Sequence, residues 1–176
     1  MQNSALSVAN YFIGLAHESN SPIKILRLMK LTYIAHGFML AILERSAFNP
    51  RFDWVEAWKY GPVIPSVYHS FKRYGNNPIV DKTVIIQNEE KKGDDYVVDV
   101  VTPELDGEEE QKVCKLVWNM YKDYDDGKLV DVLHKQGSPW SLVYEPGQNN
   151  PIPDIITKIY YQKLIDSLLK QSTNVQ

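Results

Sequence analysis

The chain has 176 residues, of which 44% are hydrophobic and 11% aromatic, enough to bury the core of one globular domain. Its formal net charge of -3 argues against a dedicated nucleic-acid binder, because neutralising phosphates requires a basic patch that acidic chains rarely assemble. Cys114 is the only cysteine, which excludes an intramolecular disulfide and a thiolate metal cluster.

The sequence shows no sign of export or membrane insertion. Its first residues, MQNSALSVANYF, lack the basic start of a signal peptide. No uninterrupted apolar run reaches the roughly 18 residues that a membrane span needs. We therefore expect a soluble, cytoplasmic protein.

Two helices are predicted at the beginning of the chain. Apolar residues recur at three- and four-residue steps over 5–16, which is typical of an amphipathic helix. A Ser/Asn/Pro cluster at 19–22 ends it, and the second helix, over 23–43, is apolar on most of its circumference, which is typical of a buried helix. Lys30 is expected on its narrow exposed edge, and Gly37 predicts close packing of another helix.

The window 54–75, WVEAWKYGPVIPSVYHSFKRYG, concentrates aromatic residues, prolines and glycines. Alternating residue types over 54–58 predict a short extended segment. Gly61 and Pro62 end this segment, and Pro65 suits the first turn of a following helix. The window is therefore predicted to be a sharp corner between extended and helical chain.

The second half predicts a β-hairpin followed by helices. The runs TVIIQN and YVVDVV are β-rich and flank a charged turn. Because isolated hairpins are marginally stable, we expect this one to pack on the helices, with 54–58 as a candidate third strand. A helix after Glu108, a shorter helix ending near His134 and a last helix from about Asp154 follow.

These elements predict a mainly helical α+β fold. We expect a single globular helical domain over 1–170, with a small antiparallel β-hairpin or three-stranded sheet. The polar residues 171–176 are expected to form a disordered tail.

The sequence lacks the motifs of common catalytic and metal sites. His36, His69 and His134 lie near aromatic residues, but no zinc-ligand spacing joins them. It contains no G-x-S-x-G elbow, P-loop or G-x-G-x-x-G run, so neither a serine hydrolase nor a nucleotide-binding enzyme is indicated. No metal or cofactor is expected, and the aromatic residues favour protein recognition or core packing.

Four segments in order, VANYF, LMKLTYIAHG, EAWKYGPVIPSVYHSFKRYG and LHKQGSPW, resemble the Panacea domain family, also known as SocA-like or phage-associated GepA-like antitoxins. The most specific part is AWKYGPV at 57–63, followed by Pro65 and Tyr68. One position departs from the family pattern, since the family usually carries Gln where Met29 stands.

The resemblance implies a bacterial or prophage-borne antitoxin, without catalysis, that neutralises a cognate toxin by direct protein contact. For part of the family it implies a proteolytic adaptor that delivers the toxin to an AAA+ protease such as ClpXP. Different members look paired with unrelated toxins, so the shared motif is expected to be the structural centre of a common platform. Toxin choice should then depend on the hairpin and on 44–52.

We expect the window and the buried second helix to meet in one structural or partner-binding cluster. Its residues are Tyr33, His36, Trp58, Tyr60, Gly61, Pro62, Tyr68, Lys72, His134 and Trp140. The rings of the window are expected to dock against the face of the helix that carries Tyr33 and His36.

Two alternatives remain open at this point. The first is a small hydrolase-like enzyme that uses His36 or His134 as a general base. The second is DNA binding through a cationic face that includes Lys72, Arg73 and Lys82, although the acidic balance of the chain disfavours it.

Replacing Trp58 with Ala is expected to destabilise the fold or to abolish toxin neutralisation, because Trp58 is central to the most specific motif. A melting curve and a toxin-rescue assay measure the two effects. Unchanged melting together with unchanged rescue would contradict this expectation.

Overall fold

The computed structural model describes residues 4–92 and 95–173, and within them the fold is mainly helical α+β, as predicted. The helices are α1 (Ala5–Glu18), α2 (Ile25–Ile42), α3 (Pro65–Phe71), α4 (Glu108–Tyr121), α5 (Asp126–His134), α6 (Pro139–Val143) and α7 (Asp154–Thr173), with a 3-10 turn at Lys72–Tyr74. The strands are β1 (Glu56–Trp58), β2 (Gly61–Val63), β3 (Ile85–Lys92), β4 (Asp95–Val101) and β5 (Asn150–Pro151).

The central helix of the fold is α2, which packs against α1, α4 and α7. It is long and apolar enough to cross a membrane by length and composition, but 72% of it is buried inside the protein. Leu28, Leu31, Ile34 and Phe38 are among its fully covered side chains. A helix that is apolar nearly all round is stable in water only when other elements cover it, so α2 serves as the core helix.

The start of α1 is fixed by two sets of hydrogen bonds. Ser4 and Ser7 form a capping box, in which each side chain accepts from the backbone of the other residue. The buried carboxylate of Asp53 accepts from the backbone N–H groups of Ala5 and Asn49, at 2.8 and 2.9 Å, and from the Ser66 hydroxyl at 2.7 Å. Asp53 therefore ties the first turn of α1 to α3 and to the chain that precedes β1.

The sheet around the aromatic window contains three antiparallel strands in the order β2-β1-β5. The expectation that 54–58 joins the other hairpin as a third strand is therefore wrong. Gly61, with a φ of +101°, follows a two-residue loop after Trp58 and pairs with it, so that β2 runs back along β1 directly. Closing this two-residue loop costs less entropy than pairing with a strand nearly thirty residues away.

The strands β3 and β4 form a separate two-stranded hairpin with a bulge between Ile86 and Asn88. Their contacts are mostly with each other, so the expectation that the hairpin packs on the helices is also wrong. Its attachment is local: the buried Asn10 side chain donates to the carbonyls of Thr83 and Pro103 and accepts from the Thr83 N–H. Asn10 thus holds both ends of the hairpin on α1.

The predicted tail over 171–176 lies partly within the described chain. Helix α7 includes residues 171–173, so this part continues the last helix. Residues 174–176 are outside the part that the structure describes.

Close packing between α2 and α7 occurs at Gly37, as its sequence position predicts. A Cβ on Gly37 would overlap the ring of Tyr161, which is itself buried. Tyr161 also meets the rings of Tyr33 and Phe38, with centroid distances of 6.2 and 5.3 Å. The absence of a side chain at Gly37 therefore lets this tyrosine fill the space between the two helices.

Replacing Gly37 with Ala is expected to lower the free energy of unfolding by about 1–3 kcal/mol, because the added methyl group would displace Tyr161. Gly14→Ala is a matched control, since this glycine of α1 has its nearest neighbour, a Lys82 side-chain carbon, 4.0 Å from the added Cβ. Alanine should stabilise that position by up to about 1 kcal/mol. Denaturant unfolding measures both, and equal effects would contradict the close approach at Gly37.

Candidate functional site

The turn between β1 and β2 is held from inside the protein by Lys30 of α2. The Lys30 side chain is 0% exposed, and its Nζ donates to the Pro62 carbonyl at 2.9 Å. A Cβ on Gly61 would lie 2.9 Å from Lys30 Nζ and 3.2 Å from His134 Nε2. Glycine is therefore required at position 61 for two reasons: its backbone has a positive φ, and the two nitrogens leave no room for a side chain.

The expectation that Lys30 lies on an exposed edge of its helix is wrong. Periodicity identifies the residue as a polar interruption of an apolar pattern, but it does not show that the β1–β2 turn covers this position. Burial lowers the pKa of Lys30 to about 7, because a low-dielectric surrounding disfavours the charged form. A core ammonium group with one carbonyl partner is an uncommon arrangement that the sequence does not reveal.

Three aromatic rings stack beside the same turn. His134 lies parallel to Trp140 with a centroid distance of 3.6 Å, and Trp140 stacks on Tyr144 at 4.4 Å. The indole N–H of Trp140 donates to the Trp58 carbonyl at 2.8 Å, and the Trp58 ring meets Tyr68 edge-on at 5.0 Å. We call the whole group the aromatic junction; it consists of Lys30, Trp58, Gly61, Pro62, Tyr68, His134, Trp140 and Tyr144.

The Nε2 atom of His134 is buried and, within the described chain, has no hydrogen-bond partner. Burial is the main cause that lowers the pKa of His134, and the nearby charge of Lys30 lowers it further. Asp131, one turn earlier on α5, acts in the opposite direction. The neutral imidazole is therefore the favoured form in the folded protein.

Tyr33 and His36 belong to a different group of contacts, between α2 and the start of α7. The Tyr33 hydroxyl lies 3.3 Å from Thr157 Oγ1, and His36 Nε2 lies 3.0 Å from an oxygen of Asp154. His36 Nδ1 lies 2.8 Å from the Ser46 hydroxyl. Because a carboxylate only accepts, Nε2 carries a proton, and in the neutral ring Nδ1 then accepts from Ser46.

The ten residues expected in one cluster are thus divided by the structure. Trp58, Gly61, Pro62, Tyr68, His134 and Trp140 lie in the aromatic junction, whereas Tyr33 and His36 face α7. Positions 30 and 36 differ by about 120° around a helix, so one face of α2 cannot present both to the same partner. The window therefore docks on Lys30, α5 and α6 rather than on the Tyr33–His36 face.

Tyr60 and Lys72 lie at the surface. Tyr60 occupies the tip of the β1–β2 turn and is 62% exposed, with the Lys59 ammonium 5.3 Å from its ring centroid. Lys72 begins the 3-10 turn after α3 and is also exposed. Both are accessible to a partner, in contrast to the residues beneath the turn.

The order Ser46–His36–Asp154 is that of a hydrolase relay, but its surroundings are those of a structural contact. The His36 ring is 1% exposed and stacks on Phe48 with a centroid distance of 4.1 Å. The Ser46 oxygen already accepts the Phe48 N–H at 2.8 Å. A general base must reach a substrate proton, and this buried ring does not.

The other alternative chemistries find little support. His134 Nε2 is buried and does not pair with a carboxylate. Over residues 4–92 and 95–173, no group of three or more His, Cys, Asp or Glu side chains is arranged to hold a metal ion. Lys82 is paired with Glu104 at 3.1 Å, which interrupts the cationic face that DNA binding would require.

Comparisons with known proteins agree on one family. The family described as "Antitoxin SocA-like, Panacea domain" matches residues 28–141, a span that contains every residue of the aromatic junction except Tyr144. Antitoxin SocA of Caulobacter vibrioides (strain NA1000 / CB15N) is 33% identical over 146 residues, which cover 82% of this chain and 73% of that protein. No solved structure matches.

Replacing Lys30 with Met is expected to remove a rise in stability with pH. In the wild type, Lys30 loses its proton near pH 7 when folded and near pH 10.5 when unfolded. Between these values the unfolded chain binds the extra proton, so the free energy of unfolding rises with pH. Any constant cost of losing the Pro62 hydrogen bond does not alter this slope.

Denaturant unfolding between pH 7 and about 9.5 measures the slope, with the exposed Lys135→Met as the control. The wild type and Lys135→Met should become more stable as the pH rises, and Lys30→Met should do so much less. Parallel slopes in all three proteins would show that Lys30 keeps its ordinary titration.

Proposed function

We propose, on the premise that this chain belongs to the SocA-like antitoxin family with the Panacea domain, that it neutralises a cognate protein toxin by direct binding in the bacterial cytoplasm. The similarity to Antitoxin SocA over 82% of the chain carries the proposal. The family is one of antitoxins, and the buried His36 and His134 nitrogens support binding without catalysis.

The aromatic junction fits the role of a common platform better than that of a toxin contact. Several of its polar groups bond to one another, since the Trp140 N–H donates to Trp58 and Lys30 donates to Pro62, while the unpaired His134 Nε2 is buried. The Trp58 N–H donates to the Glu56 carboxylate at 2.7 Å. Groups that are already paired inside the protein offer little to a partner, so the toxin contact should lie elsewhere.

The β3–β4 hairpin is the best candidate for the toxin contact. By the pairing register, Ile86 lies opposite Val100, and Val98 is on the same face of the ribbon. These three side chains are 63, 58 and 45% exposed. An exposed apolar face suits a protein partner that covers it.

The second segment expected to select the toxin, 44–52, adjoins the hairpin. Phe52 is exposed, and it lines a cavity of about 280 Å³ together with Leu6, Ile85 and Pro103. The surface is therefore continuous from the base of the hairpin to this segment. Ser46 and Phe48, in contrast, are used inside the protein against His36.

Co-expression with the product of the neighbouring reading frame tests the proposal. The chain should restore growth and co-purify with that product as a complex. If the product remains toxic and no complex forms, the chain does not neutralise that product by direct binding.

Replacing Ile86 with Glu is expected to weaken toxin binding at least tenfold, about 1.4 kcal/mol, because a charge would be buried in the apolar contact. Leu142→Glu is the matched control, since Leu142 on α6 is also 63% exposed but lies outside the hairpin. Calorimetry measures the affinity and melting curves verify the fold. Equal losses in the two variants would show that the hairpin is not the contact.

The same system distinguishes sequestration from delivery to a protease. If the chain is an adaptor for an AAA+ protease, the half-life of the toxin should shorten when the chain is present, and removing the protease should abolish rescue. If it acts by sequestration, rescue should persist with an unchanged toxin half-life.

A further inference from the structure

Two basic nitrogens from different helices converge on one point of the backbone. Lys30 Nζ from α2 and His134 Nε2 from α5 both lie within 3.3 Å of the position that a Gly61 Cβ would occupy. The Pro62 carbonyl lies at this point and accepts a hydrogen bond from Lys30. Within the described part of the chain, Lys30 therefore has a hydrogen-bond acceptor and His134 Nε2 has no partner.

The charges that face this point come from three elements. Helix α2 contributes Lys30, α5 contributes His134 and Asp131, and β2 contributes the partial negative charge of a carbonyl. Asp131 is exposed, so water screens its attraction for His134, whereas Lys30 is fully buried. Two like charges held this close in the interior repel each other strongly.

The His134 ring is coupled to the only direct hydrogen bond described between α6 and β1. It stacks on Trp140, and the Trp140 N–H donates to the Trp58 carbonyl. Any movement that takes His134 away from Lys30 and into water must disturb this stack. The covering layer formed by α5 and α6 would then separate from the β1–β2 turn.

We propose that Lys30 and His134 form a buried proton switch: the closed protein holds at most one proton on the pair, and a second proton opens α5 and α6 away from the β1–β2 turn. The sign follows from burial. An open state lets His134 titrate near its ordinary pKa of about 6.5, whereas the closed state holds that pKa lower, so acid favours opening. The device is independent of the proposed toxin contact.

Hydrogen exchange of the full chain, followed by NMR at pH 7.5 and 5.5, tests the switch. After correction for intrinsic exchange, the amides of 129–143 should open several times more often at pH 5.5, up to about tenfold, since one unit of pH below the open-state pKa changes the equilibrium at most tenfold. Amides of 8–16 in α1 should show no such change. Uniform opening at both places would indicate global unfolding and overturn the proposal.

Histidine variants test whether His134 is the group that binds the second proton. His134→Gln should abolish the acid-induced opening, whereas His17→Gln, at the exposed end of α1, should retain it. If opening persists in His134→Gln, another group is responsible and the switch is refuted.

Titration of the His134 ring tests the role of Lys30. Lys30→Met should raise the pKa of His134 by removing a neighbouring charge. Asp131→Asn, a surface change that leaves the core intact, should lower it by removing the opposing charge. A His134 pKa that is the same in the wild type and in both variants would show that the nitrogens are not coupled.

Discussion

The hydrogen bond from Lys30 to the Pro62 carbonyl joins the buried core helix α2 to the two-residue turn between β1 and β2. A buried amine is costly unless it has a hydrogen-bond partner, and here the Pro62 carbonyl is that partner because Gly61 adopts a conformation that other residues rarely take. The position of β1 follows from that turn. Once the strand is fixed, its Trp58 carbonyl is available to receive Trp140, which brings α6 to the same place.

The elements could be predicted from local patterns, and their partners could not. Apolar spacing and breakers located the main helices and the end of β1, since those signals act within a few residues. They did not show that Gly61–Val63 continues as strand β2 before the helix at Pro65. His36 and Asp154 are 118 positions apart, and nothing in the neighbourhood of either one indicates the other. The prediction that Lys30 is exposed was wrong for the same reason. Whether a polar residue in an apolar helix is buried depends on an element from elsewhere in the chain that packs over it.

The structure contains two contrasting regions, an internally bonded junction and an exposed hairpin. The aromatic junction keeps its hydrogen bonds inside the protein, whereas Ile86, Val98 and Val100 expose apolar side chains on the hairpin, and these hydrogen bonds and the hairpin both lie within the span that the family description matches. Substitutions inside the junction remove partners from buried polar groups, which is costly at any position of this kind. Substitutions on the exposed hairpin face change the surface without leaving a buried group unpaired.

Asn10 marks the physical boundary between the hairpin and the core. One amide side chain on α1 bonds the chain where it leaves the core, at Thr83, and where it returns, at Pro103. The hairpin therefore leaves and rejoins the core at one point, the Asn10 side chain, and changes within it need not disturb the core. Because loop-closure entropy changes only slowly with length, the segment between Thr83 and Pro103 should tolerate insertion, shortening or replacement. Under the proposed function, a lineage that acquires a new toxin could change this hairpin without rebuilding the fold that displays it.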